Sequence, residues 1–406
     1  VTVLRTLAKR TGGATADVLR HAPGSSAGWG PIRHRPAVSI QDWLSQGGAT
    51  AGSQLVPVFP AAETLRTRPV YADPPVSTNF DRTSRGKVKP GYVGMISQGR
   101  YWGRDYGLIL TPDDYLLSDL SLPWSRIKGG EPDGFQFPSL PPLERVTGTA
   151  AVINTYFASN YHHFLLDTLP KFGLLIAAGF PLESIDYFVL PVERHAWHAH
   201  LLKLLNIPES KIIGSLQTTH LQADRLLVPS YTEPGPEHDT YDYSPFGLNF
   251  VRDLVLNAPH FPHHETYPKR VLLTRERTKT RRLMPEDLNR QIEEQLGFTR
   301  IFAEDLTVSQ QAACFAQAEV VVMPTGGGLA SAVFCRPGAL FVELFSPYYY
   351  PSFSIPLTST LGVRYAALVG DAFRPDLPAE STVEGNGLDI VFKDYPLVQR
   401  LAALLE

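Results

Sequence analysis

Four short stretches of this 406-residue sequence carry residue types that can do chemistry together. The first is NYHHFLLDTLPK, residues 160–171. If Asn160 caps a helix there, His163 and Asp167 fall four residues apart on one face, with His162 alongside and Asn160 at the mouth. A carboxylate beside an imidazole is a proton-transfer pair; the bland alternative is a set of capping and core hydrogen bonds. The second stretch, RERTKTRR (275–282), starts where an apolar run ends. Guanidinium forks there suit a diphosphate that gains charge as a bond to it breaks, although a solvated basic loop would have the same composition. In the third, PTGGGL (324–329), Gly326, Gly327 and Gly328 let backbone N–H groups approach an anion closely, and a helix starting at Leu329 adds the positive end of its dipole. A turn made for packing alone reads the same way. The fourth is Glu343, expected at the end of a strand, either accepting both ribose hydroxyls of a nucleotide or serving as an ordinary strand-end charge. Phe345, Tyr348, Tyr349, Tyr350 and Phe353 follow it, to stack on a base or sugar or to pack a loop.

These residues need a scaffold that brings strand ends and helix starts together. Residues 320–323 read as a buried strand, 329–335 as a helix stopped by Arg336, Pro337 and Gly338, and 339–344 as a second buried strand. Before that unit, strands are expected at 150–154, 187–190, 225–229, 270–274 and 299–303. Helices are expected at 161–178, 194–205, 246–257, 285–296 (ended by Gly297) and 307–318, with an amphipathic helix at 395–405 closing the chain. Such alternation predicts α/β domains, whose ligands sit at the carboxyl ends of the strands. The turn-rich loop 232–243 divides them, while Pro-rich residues 36–148 read as irregular short strands, including a hairpin over 106–120 turning at Pro112, Asp113 and Asp114. The expectation is thus two Rossmann-like α/β domains facing a cleft, preceded by a β-rich segment: an arm over 1–35, one domain over 36–240 and a second over 241–406, with the last helix packing back.

Composition narrows the function. With 37 Lys and Arg against 40 Asp and Glu, the chain has no global attraction to nucleic acid, so polyanion binding must be local. No run approaches the ~20 apolar residues needed to span a membrane, and no leader of the secretory type is evident. Cys314 and Cys335 make no disulfide framework and fit a reducing, cytoplasmic compartment. The arm carries Arg5, Lys9, Arg10, Arg20, Arg33 and Arg35 against Asp17 alone, which suits peripheral contact with anionic headgroups at an inner membrane or a solvated, partly disordered terminus. His195, His198 and His200 have a spacing that can share a helical face but no evident carboxylate or Cys partner for zinc. No Asp-x-Asp triplet is present to hold a divalent ion on a diphosphate.

NYHHFLLDTLPKFGLL resembles the N-Y-x-H-W-L-x-D-x-L-P-R-L signature of family 61 glycosyltransferases, which include bacterial capsular polysaccharide transferases. LLTRERTKTRRLMPEDL is similar to that family's S-R-x(5)-R-x-L-x-N-E segment, and the region from Ala303 to Leu344 to its E-x-L-[ST]-x-x-E-Q segment followed by P-H-G-A-G-L-x-N. The resemblance implies a GT-B architecture with the acceptor side in the N-terminal domain and the donor site in the C-terminal one. It also implies inverting transfer from a nucleotide sugar, such as a UDP sugar, to a glycan or lipid-linked glycan acceptor; the missing Asp-x-Asp triplet favours arginine and helix-dipole compensation without a metal, and no further cofactor is expected. Asp167 would be the base, supported by His163, and Arg275 and Arg281 match the family's two arginines. Phe164 replaces its Trp, Pro285 an Asn, Ser331 lies near another Asn, and Thr325 stands where the family has a His expected near the donor phosphates. That last change implies a shifted donor preference or reduced activity.

Two other functions fit parts of the sequence. His163 and Asp167 also spell HHxxxD, the pattern of an acyltransferase, but a D-F-G-W-G-like partner signature is absent and Thr168 stands where Gly often follows the Asp. A relative that binds a nucleotide or glycan without catalysis would fit Thr325.

Overall fold

The computed structural model describes residues 30–31, 37–47, 52–74, 76–82, 84–104, 106–122, 139–140, 142–155, 157–191, 195–215, 219–231, 242–378 and 384–406. The basic arm and the loop 232–243 lie outside them except for Gly30, Pro31, Asp242 and Tyr243. The chain is a mixed α/β protein and divides into two units, one from the described parts of Val3–Ala62 and Val88–Asp239, the other from Glu63–Lys87 and Thr240–Glu406.

In the first unit, Ile212–Gly214, Tyr187–Leu190, Glu144–Val152 and Thr219–Pro229 lie side by side in parallel. In chain order this is 3-2-1-4, so the connections reverse direction between Glu144–Val152 and Thr219–Pro229. The Pro-rich region joins this sheet. Its strands Gly91–Ser97 and Arg100–Arg104 add antiparallel to Thr219–Pro229, and Arg100–Arg104 continues into the hairpin with Tyr106–Leu110. Trp43, Ile96, Tyr101, Ala150, Val152 and Leu226 fill the core beneath, each removed from water and contributing roughly 1.5–3 kcal/mol where the side chain is large.

The helix after Glu144–Val152 changes its winding. Tyr161–His163 and Leu169–Ala177 are α-helical, but Phe164–Thr168 between them is a π-turn. Asn160 caps it as expected, its side chain accepting from the His162 N–H at 2.9 Å. A π-turn widens the helix by one residue and recurs at functional sites, because it re-aims the side chains it contains.

The second unit holds an all-parallel sheet in the order Thr299–Ile301, Arg270–Leu273, Val320–Pro324, Leu340–Phe345, Arg364–Val369, Tyr71–Ala72. Its first five strands run 2-1-3-4-5 in chain order, a doubly wound arrangement that reverses between Arg270–Leu273 and Val320–Pro324. Thr307 and Gln310 form a reciprocal cap for Val308–Gln317, and Gly297, at φ 68°, ends Asp287–Leu296. The closing helix Leu397–Leu405 packs Leu397, Val398 and Leu401 into this unit's own core.

Two features depart from the sequence expectation. Residues 63–87, read there as part of the N-terminal domain, belong with the second unit because Tyr71–Ala72 pairs with Ala366 and Ala367. Asp242 also gathers Thr64 Oγ1 (3.1 Å), Arg66 Nη2 (3.1 Å) and the Lys87 N–H (3.0 Å). The helix expected at 329–335 is instead a 3₁₀ run, Gly327–Phe334. It is buried on all sides from Leu329 onward and wound by i to i+3 bonds, such as Leu329 N to Gly326 O at 3.0 Å, with Arg252 donating to the carbonyls of Val333 and Cys335 at its end.

No described helix is long and apolar enough to cross a membrane. Cys314 and Cys335 are both free and buried.

Candidate active site

In the second unit the site grows from the carboxyl ends of the two strands flanking the reversal point. Arg275 follows Arg270–Leu273, and Thr325, Gly326, Gly327 and Gly328 follow Val320–Pro324. Gly326 is glycine for space, since a Cβ there would sit 2.5 Å from Arg275 Nη1. Gly328 is tight for another reason: its Cβ would come within 2.8 Å of Leu273 Cδ2. The guanidinium of Arg275 therefore lies against the backbone of the glycine turn. Arg281, held at φ 57°, places its guanidinium 5.7 Å from the centre of the Tyr349 ring.

The arginines of the basic run and its neighbour Arg300 are of two kinds. Arg277 pairs with Asp305 at 2.7 Å, Arg282 with Asp389 at 2.7 Å, and Arg300 bridges to Glu276 at 2.8 Å and to Glu293. Among the described residues Arg275 and Arg281 form no ion pair. Arg275 Nε donates only to the Thr280 carbonyl at 3.2 Å, and buried Arg281 Nε has no partner. Burial, then the charge of Arg281, pushes Arg275 down to about 10. Burial likewise lowers Arg281, opposed by Tyr349 and Glu343. Both remain cationic at neutral pH, partly stripped of water, mutually repelling and without a bound carboxylate. Such a pair is completed by an anion with several oxygens.

Glu343 is placed differently from the expectation. It lies within Leu340–Phe345 rather than at its end, and it is 0% exposed. Ser354 Oγ and Tyr365 OH, the latter at 2.9 Å, both donate to its Oε2, and Thr325 faces the carboxylate as well. Burial pushes this carboxyl up to about 7, against the pull of those hydroxyls and of Arg281. Leu329 is buried at the start of the 3₁₀ run, and Ser331 donates to Gln311 Oε1 at 3.3 Å. Of the aromatic run, Tyr348 and Tyr349 are buried and Tyr350 is half-buried. A cleft of about 460 Å³ opens nearby between Glu276, Arg282, Glu286, Asp287, Arg290 and Arg300. Its charges balance, so it carries no preference for an anion.

In the first unit the structure brings His163 and Asp167 together: Nδ1 and Oδ2 are 2.7 Å apart across the π-turn, with the Asp167 side chain 6% and that of His163 16% exposed. Phe157, at φ 57°, sets its ring 5.3 Å from that of His163. His162 is buried with its ring 5.1 Å from His163; burial first and His163 second hold it well below the usual imidazole range, so it is neutral. Phe164 packs edge-on against Trp197 and His198. His195 and His198 flank the Trp197 ring, and no group of three or more His, Cys, Asp or Glu among the described residues is placed to hold a metal.

Residues 161–342 match the family model Glycosyltransferase 61. The matched stretch contains His162, His163, Asp167, Arg275, Arg281 and the glycine turn, and ends one residue before Glu343. The family 61 resemblance carried by the three motifs is therefore shown over this span, and it supports glycosyl transfer from a nucleotide sugar to a glycan in general terms. None of the curated proteins matches the chain.

Several residues of both sites were not singled out from sequence. Lys171 is 2% exposed, donates to the Asn154 carbonyl at 2.8 Å and sits 3.6 Å above the Tyr231 ring, whose hydroxyl reaches the same carbonyl at 2.9 Å. Its spacing of four from Asp167 was the available signal. Ser354 and Tyr365 had none, because only the folded sheet sets them around Glu343.

Proposed function

We propose that this protein is an inverting glycosyltransferase of GT-B type that moves a sugar from a nucleoside diphosphate donor, UDP-linked by family resemblance, to a glycan or lipid-linked glycan, in bacterial capsular or surface polysaccharide synthesis at the cytoplasmic side of the inner membrane. The observation that carries this reading is the Arg275–Arg281 pair, which forms no ion pair among the described residues and lies beside a glycine turn at the reversal point of a parallel sheet. Phosphate oxygens would occupy both guanidiniums and the N–H groups of Gly326 to Gly328.

In the first unit Asp167, held by His163, accepts the proton of the acceptor hydroxyl. The acceptor oxygen attacks the anomeric carbon as the bond to the diphosphate oxygen breaks, and the sugar inverts. The charge that develops on the leaving phosphate falls to Arg275 and Arg281, whose partly buried setting strengthens their pull, so the arginines supply the positive charge without a metal.

The test is a thermal-shift series of the purified protein with UDP, GDP, CMP, dTDP and coenzyme A, with and without EDTA. A ligand at 100 times its dissociation constant adds about 2.7 kcal/mol. The expected result is stabilisation by one nucleoside diphosphate, unaffected by EDTA and lost in Arg275→Ala. Stabilisation by coenzyme A alone would overturn the reading in favour of acyl transfer, for which the same His163–Asp167 contact would serve.

A further inference from the structure

Glu343 has no role in the mechanism above, yet it is a wholly buried carboxylate. A wholly buried carboxylate is costly unless its charge is compensated. Two hydroxyls donate to Oε2, while Oε1 takes no well-formed hydrogen bond; the Thr325 hydroxyl also faces the carboxylate. Among the described residues the positive charge that acts on it is Arg281 from the 274–282 loop. From the other elements packed on it come Tyr365 of Arg364–Val369, Tyr349 of the turn after its own strand, and the neutral hydroxyls of Ser354 and Thr325. Burial and Glu343 itself hold the Tyr365 phenol well above its usual range, so it stays a donor.

We infer that Glu343 is a proton-coupled counter-charge for the Arg275–Arg281 site, ionised when the site is empty and protonated when a diphosphate occupies it. The inference rests on the donor-site reading. When Arg281 faces only Glu343, the two charges offset each other. An arriving diphosphate engages the same guanidinium and leaves Glu343 as a second, buried negative charge close by. Like charges at short range in a poorly solvated site cannot both stay ionised at little cost, and the carboxylate, already pushed up to about 7, takes a proton from solvent. The cluster is built to hold either form. Ser354 and Thr325 are hydroxyl rotors that donate to a carboxylate and turn to accept from a carboxyl proton, while Tyr365 keeps donating.

In this scheme one proton enters per diphosphate bound and leaves with it. Phosphate binding weakens as pH rises above neutrality, because the proton becomes harder to supply. Thr325 belongs to this device: it stands between the phosphate turn and Glu343, and its hydroxyl serves the carboxylate.

Titration calorimetry of the full chain with UDP and with inorganic pyrophosphate at pH 8, in two buffers of different ionisation enthalpy, counts protons directly. The terminal phosphate of UDP is fully ionised there, its second pKa being near 6, so UDP contributes no uptake; pyrophosphate, which still carries a proton at this pH, serves only to show that a bare diphosphate binds. The expected result is uptake approaching one proton per UDP in the wild type and none in Glu343→Gln. The variant, a permanent stand-in for the protonated form, should bind up to about tenfold more tightly than wild type at pH 8, with the difference vanishing at pH 6. Binding without proton uptake, or a variant that binds more weakly at both pH values, overturns the inference and leaves the donor site standing. If neither probe binds, the donor-site reading falls and takes the inference with it. Should Glu343→Gln fail to fold, the wild-type pair of buffers decides alone.

Discussion

The two units solve the same placement problem with opposite chemistry. Each has a run of parallel strands whose connections reverse direction at one point, and each sets its candidate side chains after the carboxyl end of a strand in that run. In the first unit the pair is His163 and Asp167, 2.7 Å apart on consecutive turns of one helix. In the second it is Arg275 and Arg281, on one loop but shaped by Gly326, Tyr349 and Glu343, which come from other strands and turns. The first site is suited to handling a proton and the second to holding charge. What separates them is compensation: the imidazole has a carboxylate against it, whereas the guanidiniums have none bound.

That contrast is open to direct tests. Its largest expected consequence is in Asp167→Asn, which keeps the shape but removes the base: turnover should fall about 10²- to 10⁴-fold, while UDP binding measured by calorimetry stays unchanged. Loss of binding instead would erase the division of labour between the units.

Next in size is the pH dependence of stability set by Glu343. Burial holds its folded carboxyl at about 7 against 4.5 in the unfolded chain, so the folded state keeps a proton that the unfolded state has lost across this window. Its stabilising contribution is full below pH 4.5 and is lost as pH rises to 7, by at most about 3 kcal/mol. Denaturant unfolding at pH 5 and 7.5 should show this slope in wild type and its loss in Glu343→Gln. A flat wild-type profile would mean that the carboxylate is better compensated than its burial indicates.

Arg275→Ala and Arg281→Ala should each weaken nucleoside diphosphate binding by about 10- to 100-fold, the worth of one charge-assisted contact. Neither should change the turnover of bound donor as much as Asp167→Asn does. Arg277→Ala, which removes an exposed ion pair, should do little to binding. Equal losses at all three arginines would return the segment to an undifferentiated basic loop.

The smallest expected effect is in Gly326→Ala. The added methyl must displace the Arg275 guanidinium, and affinity for UDP should drop roughly three- to tenfold, a cost of about 1 kcal/mol. If affinity is unchanged, Arg275 does not need its place against the turn.

The sequence shows the first site more clearly than the second, for a physical reason. A spacing of four on a helix capped by Asn160 is local information, and the cap, the helix and the His163–Asp167 contact all follow from it. The π-turn that carries Asp167 does not, because nothing in FLLDT distinguishes π from α winding. In the second unit the strand and helix alternation is legible from apolar runs and from Gly297. The winding of Gly327–Phe334 is not: an apolar run buried on every side has no periodicity to choose α over 3₁₀.

Charge shows the same limit. Arg275, Arg277, Arg281 and Arg282 look alike in a run of basic residues, and which of them lose their neutralising partner depends on Asp305 and Asp389, 28 and 107 residues away. The sequence by itself indicated the strand and helix alternation and its order, the Asn160 cap, the Gly297 stop, the motifs that resemble family 61, and a His163–Asp167 spacing and a basic loop. Tertiary structure alone decided which arginines stand unpaired, that Glu343 is buried rather than at a strand end, and that residues 63–87 join the second unit. Local spacing is written in one turn of chain, whereas burial and charge compensation are properties of whatever the sheet brings alongside.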